Sequence, residues 1–342
     1  MNSFGRVFRI TIFGESHGES VGIVVDGCPA GMPLTIDDFL PDLERRKGGT
    51  QKGTTPRQEE DLPIFKSGLF NNKTTGAPIT ILFENKNIRS GDYEKQRDVP
   101  RPGHADFVAH KKFAGFEDYR GSGHFSGRLT VALVAAGVIA KKILLTSFPL
   151  PTSGDGIGVR ASILEIGGEK DLDKGLQKAI DAKDSIGGII ECRVTGLPVG
   201  LGEPFFDSAE SLLSHVVFAI PAVRGIEFGT GFAAARMFGS DHNDAIENTE
   251  GKTRTNHAGG IVGGLTNGNE LVFRVAIKPT SSTPKEQVTL NWETGKVEAA
   301  SVKGRHDLCI ALRVPVILEA VTAVVLADLM MLEQKIPRIR QG

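Results

Sequence analysis

Positive charge gathers in this chain where glycine does. Between Glu44 and Arg57 lie five cations, Arg45, Arg46, Lys47, Lys52 and Arg57, against one acid. Arg97, Arg101, His104, His124, Arg128, Arg305 and His306 fall in or beside further loops rich in glycine or proline. The planar fork of arginine grips carboxylate and phosphate oxygens two at a time, and glycine lets backbone N–H groups approach an anion. The pattern points to a small substrate carrying several anionic groups. Two histidines are placed as proton carriers. His17 follows Ser16 in the turn Gly14-Glu15-Ser16-His17-Gly18, and His104 sits in Arg101-Pro-Gly-His-Ala-Asp106. The run Lys278-Pro-Thr-Ser-Ser282 offers hydroxyls beside a lysine, a set that suits a phosphorylated cofactor tail. Asp307, between Arg305, His306 and an apolar segment, is placed either for proton transfer or to cap a helix.

Other spacings imitate known motifs and fail on context. Gly14-Glu15-Ser16-His17-Gly18 fits the Gly-x-Ser-x-Gly of a hydrolase elbow, but that turn must lead into a helix and here a strand follows. Gly229-Thr-Gly231-Phe-Ala-Ala234 fits a loose dinucleotide fingerprint, yet the acid about twenty residues on falls in an irregular stretch. Ile246 stands where a P-loop ending in Gly251-Lys252-Thr253 needs its first glycine. Asp241-His242-Asn243-Asp244 lacks a second ligand cluster, so no metal site is expected. Cys28, Cys192 and Cys309 lie too far apart in sequence for a disulfide framework or a short-spaced metal pair, which favours a reducing cytoplasm.

Elements that must hold these residues can be read from periodicity. Val7 to Ile12 alternates as a half-buried strand, Val21 to Val25 reads as a second and Pro78 to Phe83 as another. Thr35 is a cap for a helix through Lys47, with Pro41 as a kink or restart, and Gly48 to Thr55 has the composition of a mobile loop. Asp106 caps a short helix to Gly115, and Ser126 a long apolar one to about Leu145. The middle third reads strand (158–166), helix (173–182), strand (188–194) and a helix opened by Asp207 and Glu210, an alternation of mixed α/β character. Leu271 to Ile277 is a strand, and Pro315 opens a terminal helix. The apolar runs 129–140 and 314–332 fail as membrane spans. The first is short of the ~20 residues needed, and the second carries Glu319 and Asp328. Lys plus Arg number 40 against 41 Asp plus Glu, so no global field draws the chain to nucleic acid or an anionic membrane. No repeat or low-complexity linker divides residues 1–342, which are expected to form a single compact domain with a real core.

Taken in order, a series of blocks resembles the chorismate synthase family. They are Gly14-Glu15-Ser16-His17-Gly18 with Asp26-Gly-Cys-Pro-Ala-Gly31, then Lys73-Thr-Thr-Gly-Ala-Pro78, Arg101-Pro-Gly-His-Ala-Asp106, Asn256-His-Ala-Gly-Gly260, Lys278-Pro-Thr-Ser-Ser282 and Gly304-Arg-His-Asp307. The resemblance runs from about Phe4 to Leu332. It implies an α+β fold, a sandwich of helices between β-sheets, assembled as a homotetramer. It also implies a lyase of aromatic amino-acid biosynthesis that makes chorismate from 5-enolpyruvylshikimate 3-phosphate by 1,4-elimination of phosphate. That reaction needs reduced FMN without net redox change. By matching position, Arg46, Lys52, Arg101, Arg128 and Arg305 would bind substrate, with His17, His104, Ser16 and Asp307 catalytic. His124, Phe125, Ser126, Pro221, Ala222, Gly263, Lys278, Pro279, Thr280, Ser281, Ser282 and Arg305 would contact FMN. The usual Arg-Ser-Ser-Ala-Arg block of the family reads His124-Phe-Ser-Gly-Arg128 here, and a common loop arginine is Lys52. With no reductase domain visible, an external flavin reductase is the expected source of reduced flavin, in place of the chain's own use of NADPH. A non-catalytic anion-binding paralogue is the alternative.

Overall fold

Alternation decides the first sheet. In β3 (Ser20–Asp26) and β7 (Ile79–Glu84) every second residue is apolar and buried, Ile79, Ile81 and Phe83 fully so, while β2 (Arg9–Gly14) buries Ile10 and half-buries Ile12. These strands pair antiparallel with β1 (Ser3–Phe4) and β4 (Ile64–Ser67) in the order β1-β2-β3-β7-β4. A computed structural model of the protein describes residues 1–49, 52–55, 59–87, 97–146, 156–302 and 306–336, with the side chain of Thr146 left out. A second antiparallel sheet has the order β10-β13-β9-β8, from Val223–Phe228, Leu271–Ile277, Gly188–Thr195 and Gly158–Ile166.

Two helices that are apolar on every side must lie between layers. These are α3 (Thr130–Thr146) and α7 (Val314–Leu332). They pack on each other, α3 also against β3 and β7, and α7 against β8 and β9. The result is a sandwich of helices between sheets, with one continuous apolar core from Phe8 to Ile336. At the helix crossing Gly137 lies against Ala320, where a Cβ on residue 137 would stand 2.2 Å from that of Ala320. The stretch Ile310–Leu332 has a mean hydropathy of 2.1 and is long enough to cross a membrane, but 78% of its apolar window is buried inside the protein. Its two acids are accounted for. Glu319 binds Arg45 at 2.7 and 2.8 Å and Lys141 at 2.8 Å. Asp328 accepts the backbone N–H groups of Arg6, Val7 and Phe8, which ties the N-terminal strands to the central layer. α1 (Leu40–Arg46), α4 (Leu172–Ala182) and α5 (Ala209–Val217) cover the edges, while α6 (Gly239–His242) is a single turn. Short hairpins join β5 (Leu69–Phe70) to β6 (Lys73–Thr74) and β11 (Ile261–Val262) to β12 (Leu265–Thr266).

Several expectations are adjusted. The alternation in the middle third is not a set of parallel crossover units, because β8 and β9 pair antiparallel around α4. The Thr35 helix is a 3-10 turn, Ile36–Asp38, followed by α1 with Pro41 in its first turn, so the proline marks a restart. Asp106 is not the cap of α2 (Asp106–Phe113). Ala105 holds that position, and the Asp106 carboxylate turns back to Arg101 and His104. Ser126 does cap, accepting the Arg128 N–H at 3.3 Å, through a 3-10 turn that runs into α3. Ser208, not Asp207, caps α5, because Asp207 is paired with Arg6 at 2.6 Å. The two short hairpins have no counterpart in the sequence reading, and neither has a longer one, β14 (Gln287–Asn291) with β15 (Lys296–Ala300). Trp292 at its tip donates its backbone N–H to the Asp98 carbonyl and stacks on His110 with ring centroids 4.7 Å apart. The hairpin thus braces the segment that carries Arg101 and His104.

Candidate active site

The first turn of α3, the end of α1, the loop before α2 and the segment after β13 all open onto one cavity of about 890 Å³, within the usual size for ligand sites. Its wall carries seven Lys and Arg side chains against three carboxylates. The near-neutral chain therefore concentrates positive charge at one place.

One cluster is built on Asp61. Its carboxylate bonds Arg46 Nη2 at 2.5 Å through one oxygen and Arg128 Nη1 through the other, and the side chain is fully enclosed. Burial alone would push this acid up, but Arg46 and Arg128 outweigh it and hold its pKa below the usual carboxylate value. Arg128 also donates Nε to Asn85 and Nη2 to the Glu84 carbonyl, so its guanidinium is fixed from three sides. Beside them Arg313 gives Nε to the Arg46 carbonyl at 2.8 Å and Nη1 to Asp307 at 3.0 Å. Asp307 in turn accepts the Thr55 N–H at 2.9 Å.

The second cluster is a triad of Arg101, His104 and Asp106. Asp106 accepts Arg101 Nε at 2.7 Å through Oδ2 and Nη2 at 2.8 Å through Oδ1 in the bidentate fork geometry, and His104 Nδ1 lies 2.6 Å from the same Oδ1. Burial opposes the charge on Asp106, yet bonds from Arg101 and His104 pull its pKa far below normal. A proton on Nδ1 serves Asp106, which leaves His104 Nε2 beside Ser122 Oγ at 3.3 Å on the cavity side. Arg101 Nη1 also reaches Ser282 Oγ at 3.0 Å. Ser281 Oγ accepts from Lys278 Nζ at 2.6 Å and donates to the Gly103 carbonyl. The pKa of Lys278 is lowered by burial first and by nearby Arg224 second.

The structure brings Arg46, Arg101, His104, His124, Phe125, Ser126, Arg128, Pro221, Ala222, the run from Lys278 to Ser282 and Asp307 to this wall. It does not bring all the expected residues there. Ser16 and His17 are buried beneath the loop of Gly121, Ser122 and Gly123, with Ser16 Oγ donating to the Gly121 carbonyl at 2.7 Å. A Cβ on Gly121 would stand 2.2 Å from His17 Cδ2, so this loop is the layer between His17 and the cavity. Lys52 is exposed and donates to Gln177 at 3.3 Å, and Gly263 lies in the β11–β12 turn off the cavity wall. Arg305, with Lys303, Gly304, Thr50, Gln51 and Arg57, lies outside the described residues. Sequence reasoning missed Asp61, Ser122 and Arg313. Asp61 stands in a run of acids, Glu59-Glu60-Asp61, that reads as solvated surface, and only tertiary packing distinguishes it.

The cavity also suits a flat phosphorylated cofactor. Thr280 Oγ1 is buried without a hydrogen-bond partner, as is Arg46 Nε, and both residues face the cavity. Ile10, Ile12, Leu133 and Val324 supply apolar wall. Among the described residues no group of His, Cys, Asp and Glu is arranged to hold a metal ion.

Comparison with known proteins bears on this site. The chorismate synthase family model matches residues 8–331. The chain is 70% identical to the chorismate synthase of Chitinophaga pinensis, over 99% of each chain, and 40% identical to that of Methanocaldococcus jannaschii, over 96% of each. A crystal structure of a chorismate synthase superposes with a TM-score of 0.71 at 25% identity, covering 96% of this chain and 93% of the other. Sequence blocks, sandwich architecture and a cation-lined cavity agree with these matches, and the chain belongs to the chorismate synthase family.

Proposed function

We propose that this chain converts 5-enolpyruvylshikimate 3-phosphate to chorismate by 1,4-elimination, with reduced FMN as cofactor. The C6 proton leaves, the electron pair of that C–H bond becomes the C1=C6 double bond, the ring double bond between C1 and C2 moves to C2=C3, and the C3–O bond breaks with its pair leaving on phosphate, so phosphate and chorismate are the products. The observation that carries the reading is the placing of two arginine clusters on one cavity, Arg46–Asp61–Arg128 and Arg101–His104–Asp106. A substrate with one phosphate and two carboxylates needs such a wall, and preorganised cations stabilise the charge that builds on a departing phosphate.

Each residue then has a task. Arg46, Arg101 and Arg128 bind and orient the anionic groups. His104, aligned by Asp106, holds or moves a proton at Nε2, facing the cavity. The hydroxyls of Thr280 and Ser281 with Lys278 would hold the phosphate tail of FMN, and Pro221 and Ala222 would border it. Reduced FMN, when bound, lends electron density to a poor allylic leaving-group reaction and recovers it, without net oxidation. Ser16, His17, Arg305, Lys52 and Gly263 keep their expected roles within this proposal. For the first two the Gly121–Gly123 loop would have to move aside. The binding-only alternative is dropped, since the relatives are chorismate synthases at up to 70% identity. The remaining expectations, a cytoplasmic homotetramer supplied by an external flavin reductase, belong to the same reading. The exposed Phe205, Phe206, Phe232 and Phe238 are apolar surface that subunit packing would cover.

The test is anaerobic incubation of purified protein with the substrate and chemically reduced FMN, following phosphate release and chorismate absorbance together. Both products should appear only with reduced flavin. Substrate binding without phosphate release would refute the proposal.

A further inference from the structure

Asp61 has a geometry that the reaction alone does not require. Its side chain is fully enclosed, and the two guanidiniums it bridges, Arg46 and Arg128, are only 3% and 4% exposed. All three line the cavity. One carboxylate therefore serves two buried cations, while the third cation of the cluster, Arg313, already has its own partner in Asp307. The three arginines have only two acids as direct partners, Glu59 acts on Arg128 from farther along the wall, and Arg46 Nε is still unpartnered.

Such an arrangement has two effects. Two guanidiniums on one carboxylate in a low-dielectric wall would otherwise repel, so the shared Asp61 is what allows them to lie near each other before any ligand arrives. The same carboxylate also competes with an anionic ligand for their donors. A phosphate held by two unopposed buried arginines would leave slowly, because each charge-assisted bond has to be broken at once with no replacement at hand. Asp61 supplies the replacement.

We propose that Asp61 is the internal counter-ion of the anion site, a positioning residue that aligns Arg46 with Arg128 and weakens their hold on the inorganic phosphate released by the reaction. This rests on Arg46 and Arg128 forming the anion wall of the proposed function. Asp61→Asn is the suitable probe. The backbone at Asp61 is left-handed, with φ of 53°, which asparagine tolerates as aspartate does, and the shape is kept while the charge is lost.

Inorganic phosphate titrated calorimetrically at constant ionic strength, with chloride as the balancing salt, should bind Asp61→Asn about tenfold more tightly than the wild type, about 1.4 kcal/mol. Phosphate should also inhibit turnover of the variant at correspondingly lower concentration. Asp61→Glu, which restores the charge, should bring phosphate affinity back toward the wild-type value. A folded Asp61→Asn protein with equal or weaker phosphate affinity overturns the proposal. If the variant does not fold in chloride, phosphate should recover the fold and raise its melting temperature more than that of the wild type; a variant that stays unfolded in phosphate equally overturns it. Failure of the parent reading is separate, because it appears as a wild-type protein that does not release phosphate from substrate.

Discussion

His104 is the residue to which the proposed function assigns proton transfer. Its Nδ1 is committed to Asp106 at 2.6 Å and its Nε2 faces the cavity beside Ser122, the arrangement that fixes a tautomer and aims the free nitrogen at a ligand. His104→Ala should lower turnover by about 10²-fold to 10⁴-fold, the range of a lost general acid or base, in the coupled phosphate and chorismate assay. Asp106 makes a separate prediction in stability. Its folded pKa is depressed, so the carboxylate stabilises the fold at pH values above the unfolded pKa of about 4, and this is lost as pH falls through the lower folded value. The melting temperature of Asp106→Asn should therefore lie below that of the wild type at about pH 5 and above, and the gap should narrow below about pH 4. A gap that widens as pH falls below about 4 would contradict the pairing with Arg101 and His104. At this scale the sequence made the cations legible and hid their partners. Arg46 and Arg128 stand out among the cations, but Asp61 meets both and Arg313 meets Arg46 from other parts of the chain, and no local spacing encodes those contacts.

Elements were easier to read than their neighbours in space. The alternation of β3, β7 and β13 and the uniform apolarity of α3 and α7 are statements about burial, and burial is what periodicity reports. Caps were less legible. Ser, Asp and Thr cluster near helix starts, and which of them caps depends on who else wants the side chain, as Arg6 takes Asp207 and Arg101 takes Asp106. The β14–β15 hairpin escaped although Gln287-Val-Thr-Leu-Asn291 alternates, because the run is short and its apolar residues Val288 and Leu290, with Val297 opposite, are exposed and add nothing to the core that periodicity reports. The α3–α7 contact carries a prediction of its own. Gly137→Val puts a branched side chain where even a Cβ would lie 2.4 Å from the Ala320 Cα, so the helices must separate. Overpacking of this kind should cost about 1–3 kcal/mol, read as a lower melting temperature or an earlier denaturant midpoint. An unchanged midpoint would show that the central layer can slide without loss.

At the scale of the molecule, the formal charge of −1 conceals a cavity wall with seven basic side chains and three acids. Attraction of a multiply anionic substrate to that wall is screened within about 10 Å at 0.1 M salt and more closely at higher salt. Raising ionic strength should therefore increase KM several-fold while kcat, set by contacts already made, changes much less; parallel changes in both would point to the fold and not the field. The hairpin that braces the Arg101–Asp106 segment has one more consequence. Trp292, its tip, is the single tryptophan of the chain, and it lies flat on the imidazole of His110 in the helix that begins at Asp106. An indole against a titratable ring is a built-in optical probe. Its fluorescence reports from one address in the whole protein, against the helix that follows His104, so the state of that segment can be followed by light without attaching any label.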